Sequence, residues 1–123
     1  MMKRVLTAFI FIFVCSVAVF AQEYKRIVSL APSVTYGLYE LGIDGEVVGI
    51  TVYCPKGKSE KAVIGTLLEP DFEKITSLSP DLIISTKEGN SKAAVEKLMR
   101  MGFNVYVMET SGTFIVICSN FHF

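Results

Sequence analysis

The side chains in this chain that could do chemistry are hydroxyls, a phenol and a few charges. Its only histidine, His122, is one residue from the final Phe123, so a histidine-based triad would rest on a terminal position and is not expected. No G-x-G-x-x-G follows an apolar run, no G-x-x-x-x-G-K-[ST] loop occurs and no G-x-S-x-G elbow is present. The fingerprints of dinucleotide, phosphate-loop and hydrolase chemistry are therefore missing. Three cysteines and one histidine give no zinc spacing, so neither a metal site nor a cofactor is expected. No catalytic residue is assigned. What remains suits holding a molecule rather than transforming it: Pro32, Ser33, Tyr53, Thr86 and Lys87, with Glu109 and Thr110 beside them.

Each of these residues follows a short apolar run. Ile27 to Leu30, Glu46 to Val52, Leu82 to Ser85 and Phe103 to Met108 read as strands. Between them lie helical spacings. Val34, Leu38 and Leu41 share one face, as do Phe72, Ile75 and Leu78, and as do Ala94, Val95, Leu98 and Met101. Ser33, Asp71 and Ser91 are the expected N-caps, and Gly42 and Gly102 the expected stops. Cys54 to Ala62 reads as a polar loop. The order β-α-β-α-β-α-β predicts an α/β fold: an open parallel sheet of about four strands with helices on both faces. In such sheets ligands sit beyond the carboxyl ends of the strands, which is where Ser33, Tyr53, Thr86 and Lys87 fall. Ser33 reads either as a plain cap or as the start of a helix whose free N–H groups meet a ligand oxygen. Tyr53 reads either as a ligand contact or as a half-buried aromatic with a wet hydroxyl.

Basic and acidic residues balance, 12 against 12, and no basic stripe exists, so nucleic acid is not an expected partner. Lys3 and Arg4 precede the uncharged run Val5 to Phe20, and Val19-Phe20-Ala21 ends it. This is the layout of a signal peptide over residues 1–21, cleaved after Ala21, and it predicts export. The run is about 16 residues, short of the ~20 needed to span a bilayer. Export permits a disulfide between Cys54 and Cys118, but nothing brings the two together, and free thiols are the default. Thr113 to Cys118 reads as a strand on β-branching, ahead of an abrupt Ser-Asn-Phe-His-Phe. Residues 111–123 are therefore either an edge strand or the tail of a truncated copy.

Four strings carry a resemblance: R-I-V-S-L-A-P-S-V-T at Arg26 to Thr35, L-G-I-D-G-E-V-V-G-I-T at Leu41 to Thr51, D-F-E-K-I-T-S-L-S-P-D-L-I-I at Asp71 to Ile84, and G-F-N-V-Y-V at Gly102 to Val107. In that order and spacing the chain resembles class III periplasmic solute-binding proteins of ABC importers. That family takes vitamin B12, haem and ferric siderophores between two α/β lobes joined by a long helix. The resemblance implies that residues 22–110 form the N-terminal lobe, that the ligand is a metal chelate or a corrinoid or tetrapyrrole, and that ABC transporter permease subunits are the partners. It implies that Tyr53 is an aromatic facing the ligand and that Glu73 is the carboxylate docking on a permease arginine. Thr86 falls where the family's B12 binders carry tryptophan, and this chain has none. An exported α/β enzyme half-domain and an inert fragment are the competing readings.

Overall fold

The computed structural model describes residues 2–7, 23–109 and 115–117. The predicted cleavage site, Cys15, Thr110, Cys118 and His122 lie outside them. Residues 2–7 are helical (α1). No helix among the described residues is long and apolar enough to cross a membrane.

The remaining order is β1 (Ile27–Ser29), α2 (Pro32–Glu40), a 3-10 turn at Asp44–Glu46, β2 (Val47–Ile50), β3 (Ala62–Val63), α3 (Phe72–Leu78), β4 (Leu82–Thr86), α4 (Lys92–Arg100), β5 (Val105–Glu109) and β6 (Ile115–Ile117). The strands form one sheet in the order β3-β2-β1-β4-β5-β6. The first five run parallel, and β6 adds antiparallel to β5, with Glu109 opposite Ile115. The expected four-strand parallel sheet is therefore present but is extended at both edges. β3 escapes the sequence pattern because two residues are too short to show a period. The apolar run near the end forms an edge strand over Ile115–Ile117.

Helices cover both faces. α3 and α4 press Ile75, Val95 and Leu98 onto Val28, Ile83, Val105 and Val107. α2 lays Val34 and Leu38 on the other face, against Ile27, Val47, Ile50 and Leu82. β1 and β4 sit in the middle, which is why both read as nearly continuous apolar runs. Asp71 caps α3 by accepting from the Lys74 N–H at 3.0 Å, and Ser91 caps α4 by accepting from the Ala94 N–H.

The expected cap at Ser33 is corrected. Ala31 is the N-cap of α2, it makes no side-chain cap bond, and Pro32 occupies the first turn. Proline lacks an N–H and has its φ preset for the first helical position. The helix therefore starts at Pro32, and Ser33 lies within the first turn instead of preceding it.

Candidate functional site

Parallel pairing places the carboxyl ends of β1 to β5 on one edge of the sheet. Beyond β1 come Pro32 and Ser33, beyond β2 comes Tyr53, at the end of β4 come Thr86 and Lys87, and β5 ends on Glu109. Ser33, Tyr53 and Lys87 are exposed and Pro32 is half-buried. Tyr53 leaves 69% of its surface in water, beside exposed Val52, so its ring is available for contact and is not a core aromatic. α2 leaves the Ser33 and Val34 N–H groups without intrahelical partners on the same edge, as every helix start does.

Thr86 differs from the other rim residues. It is buried, its N–H donates to Asn90 Oδ1 at 2.8 Å, and its hydroxyl accepts from the Gly89 N–H at 3.2 Å. It shapes the floor of the edge and presents no free group to solvent.

Asn90 organises that floor. The sequence pattern places it in a plain loop, but its side chain is buried and ties three strand exits together. Nδ2 donates to the Leu30 carbonyl at 2.9 Å and to the Leu67 carbonyl at 3.0 Å, while Oδ1 accepts from Thr86. Those carbonyls belong to the turns after β1 and β3. Ser and Thr hydroxyls fill the same layer: Thr35 Oγ1 donates to Ser29 Oγ at 2.8 Å and Ser85 Oγ to the Tyr106 carbonyl at 3.2 Å. No buried side-chain polar atom lacks a partner among the described residues. The sequence signal for Asn90 was its place between Gly89 and the Ser91 cap at a strand-to-helix turn. A short side chain with both a donor and an acceptor can serve two backbones there.

Lys87 and Glu109 meet across β4 and β5, with Nζ 2.7 Å from Oε1. The Lys87 N–H also donates to the Met108 carbonyl. The hydrogen bond and charge of Glu109 raise the lysine pKa, so it is a cation throughout the physiological range. Its charge is already matched.

The loop after Tyr53 runs away from this edge to a second polar knot. Cys54 is buried, with Sγ 3.0 Å from Thr51 Oγ1. Tyr39 Oη donates to the Pro55 carbonyl at 2.8 Å. Burial, then the nearby Asp44 charge, raise the phenol pKa to about 12, so it stays a donor. Lys61, with its side chain almost fully buried, contacts Asp44 at 2.9 Å and stacks over the Tyr39 ring. Asp44 also accepts from the backbone N–H groups of Lys58 and Ser59. The hydrogen bond from Lys61 leads the effects that lower the Asp44 pKa.

A carboxylate whose folded pKa is depressed supplies stability that is complete above its unfolded value, about 4. That stability is lost as pH falls through the lower folded value. Acid titration of the folded protein is thus expected to show a loss below about pH 4 that is reduced in Asp44→Asn. Identical acid profiles for the two proteins would refute this role.

Glu73 is exposed in the first turn of α3, on the helix that follows the turn after β3.

Comparison with known proteins bears on the family and the fold. Residues 27–122 match the family model for periplasmic binding proteins. The vitamin B12-binding protein of Vibrio vulnificus strain CMCP6 is 30% identical over 111 residues, covering 89% of this chain and 40% of its own length. The crystal structure of the periplasmic vitamin B12 binding protein BtuF of Vibrio cholerae superposes with a TM-score of 0.62 at 32% identity, covering 71% of this chain and 35% of that one. A possible iron-binding (periplasmic solute-binding) protein from Staphylococcus epidermidis gives 0.62 at 28% identity, covering 73% and 36%. The chain spans about 40% of the length of the curated relatives it matches first. These relatives are binding proteins and not enzymes. With 96 consecutive positions matched to the family model and the parallel sheet of its solved members, the chain belongs to the periplasmic binding protein family.

Proposed function

We propose that residues 22–110 act as the first lobe of an exported solute-binding protein. It holds a metal chelate or a corrinoid or tetrapyrrole ligand and hands it to the permease of an ABC importer. The observation that carries this reading is the shared edge, where one sheet gathers Pro32, Ser33, Tyr53 and Lys87 at parallel carboxyl ends above a fully bonded floor. An exposed phenol ring suits stacking on a flat ligand, and a rigid floor limits the ordering cost of binding. Tyr53 is the main contact, with Pro32, Ser33 and Lys87 around it and Thr86 holding the shape from below. A single edge leaves one ligand face in water, so affinity is modest until a second lobe closes on it.

Glu73 serves as the docking carboxylate in this reading. It is exposed on a short, well-capped helix, where a carboxylate is free to form a paired bond to an arginine.

Absorbance titration of the whole chain with vitamin B12, haem and a ferric siderophore tests the proposal. One ligand class is expected to bind saturably and to lose affinity in Tyr53→Ala. Glu73→Arg is expected to keep that binding but to stop co-sedimentation with permease-bearing proteoliposomes. No saturable binding of any of the three would overturn the transport reading. Unchanged co-sedimentation would remove Glu73 from the docking surface.

A further inference from the structure

We propose that Tyr39, Asp44 and Lys61 are positioning residues for ligand capture: their contacts fasten the connection between β2 and β3 and so fix Tyr53 at the rim before a ligand arrives. The inference rests on the binding role proposed above and names what prepares its main contact.

β2 and β3 are parallel neighbours, yet only Thr51 to Lys61 joins them, and no helix lies between. Parallel neighbours are usually joined through a helix, whose packing holds the connection on the sheet. Here polar contacts take that place. The turn that carries Tyr53 is closed on itself. The Cys54 N–H donates to the Thr51 carbonyl at 3.1 Å, and the side chains of these two buried residues meet. One residue on, the Pro55 carbonyl accepts from Tyr39 Oη at 2.8 Å. Gly57, with φ +70, packs against the same ring: an added Cβ would run into the Asp44 carboxylate and come within 2.7 Å of Tyr39 Cζ. Lys58 and Ser59 then give their N–H groups to Asp44. Lys61 closes the set. With 1% of its side chain exposed, it pairs with the Asp44 carboxylate at 2.9 Å and donates to the Asp44 carbonyl at 3.0 Å.

Tyr39 and Asp44 thus hold the connection along most of its length from outside it. Tyr39 stands in the last turn of α2 and packs against the core, and Asp44 opens the 3-10 turn that leads into β2. The Tyr53 ring leaves 69% of its surface in water, so its place depends on its backbone more than on packing. A ring on a loose loop would stand at the rim only part of the time, and apparent affinity falls by that fraction.

Cyanocobalamin, haem and ferric desferrioxamine B are titrated into the whole chain, and each probe that binds wild type is carried through a double-mutant cycle. Asp44→Asn is expected to weaken it about tenfold, the loss for a contact in place about one tenth of the time. In the Tyr53→Ala background the same substitution should cost less than about twofold, because the contact it positions is gone. A merely structural role would lower affinity equally in both backgrounds. Trypsin reports on the loop itself: cleavage after Lys56 and Lys58, both exposed, should be faster in Asp44→Asn. Tyr39→Phe removes one hydroxyl and carries the same cycle, with a smaller loss, should circular dichroism show Asp44→Asn unfolded. Affinity unchanged in both variants, equal losses with and without Tyr53, a Tyr53→Ala affinity equal to wild type, or a cleavage rate that does not move overturns the positioning role and leaves the transport reading standing. Failure of all three probes on wild type overturns both.

Discussion

Asn90→Leu is expected to cost about 3–5 kcal/mol of folding stability, read as a fall in the urea midpoint at constant slope. The leucine keeps the volume and removes the amide. The Leu30 and Leu67 carbonyls and the Thr86 N–H then lose the partners they have at 2.8–3.0 Å. Leu30 and Thr86 are buried, so water cannot replace the amide there, and each stranded group costs about 1–3 kcal/mol. A domain of this size has stability near the low end of the usual ~5–15 kcal/mol, so a large part of the population should unfold. Asn90→Asp discriminates further. At neutral pH its carboxylate would still accept from Thr86 but would face two carbonyl oxygens with no proton to give. The loss should be at least as large, and partly relieved in acid, where the protonated group can donate to one carbonyl. A midpoint unmoved in both variants would show that the three turns hold themselves.

Gly65→Ala is expected to cost about 2–4 kcal/mol. Gly65 has φ +99 and its Cβ would lie 2.6 Å from the Glu69 carbonyl and 3.0 Å from the Asp71 N–H, both backbone atoms. This turn is tightly laced. Gly65 bridges Pro70, the Thr66 N–H donates to the Glu69 carbonyl, the Val52 N–H donates to the Gly65 carbonyl, and the Asp71 N–H donates to the Ile64 carbonyl at 2.7 Å. An added methyl would open the turn and pull Asp71 off the start of α3, taking Glu73 with it. Gly42→Ala is the control. Gly42 also has a positive φ, of 78, but nothing lies within 4 Å of its added Cβ. It should lose only the backbone preference, about 1–2 kcal/mol. Equal losses at the two sites, by thermal or urea melting, would remove the clash from the account.

The alternation of strands and helices was legible because each long element carries its own period and its own cap. Asp71 and Ser91 stand one residue before their helices and bond as that position predicts. At Ser33 two signals competed, and the adjacent Pro32, with its restricted φ, displaced the hydroxyl as the start of the helix. The rim could be read because a parallel sheet leaves its carboxyl ends on one side, whatever the details of packing. Its floor could not. Thr86 is the last residue of a central strand, and its burial depends on where Gly89 and Asn90 fold back. The Asn90 amide bonds to a residue 60 positions earlier, a distance over which local pattern carries no information. Lys61 reads as one more charge in a polar loop, yet a turn before β2 supplies Asp44 and buries it.

The strand order also sets when this molecule can fold. β1 lies at the centre of the sheet although it leads the chain, and its second neighbour, β4, pairs Ile27 with Leu82. The middle of the sheet therefore closes a loop of roughly 55 residues, an entropic cost met before most of the core contacts form. A growing polypeptide that stops short of Thr86 lacks the partner that covers one side of β1, whatever helices it has already made. Assembly is consequently late and collective, and the unpaired Ile27–Ser29 segment is the part of a nascent chain most in need of a chaperone's cover.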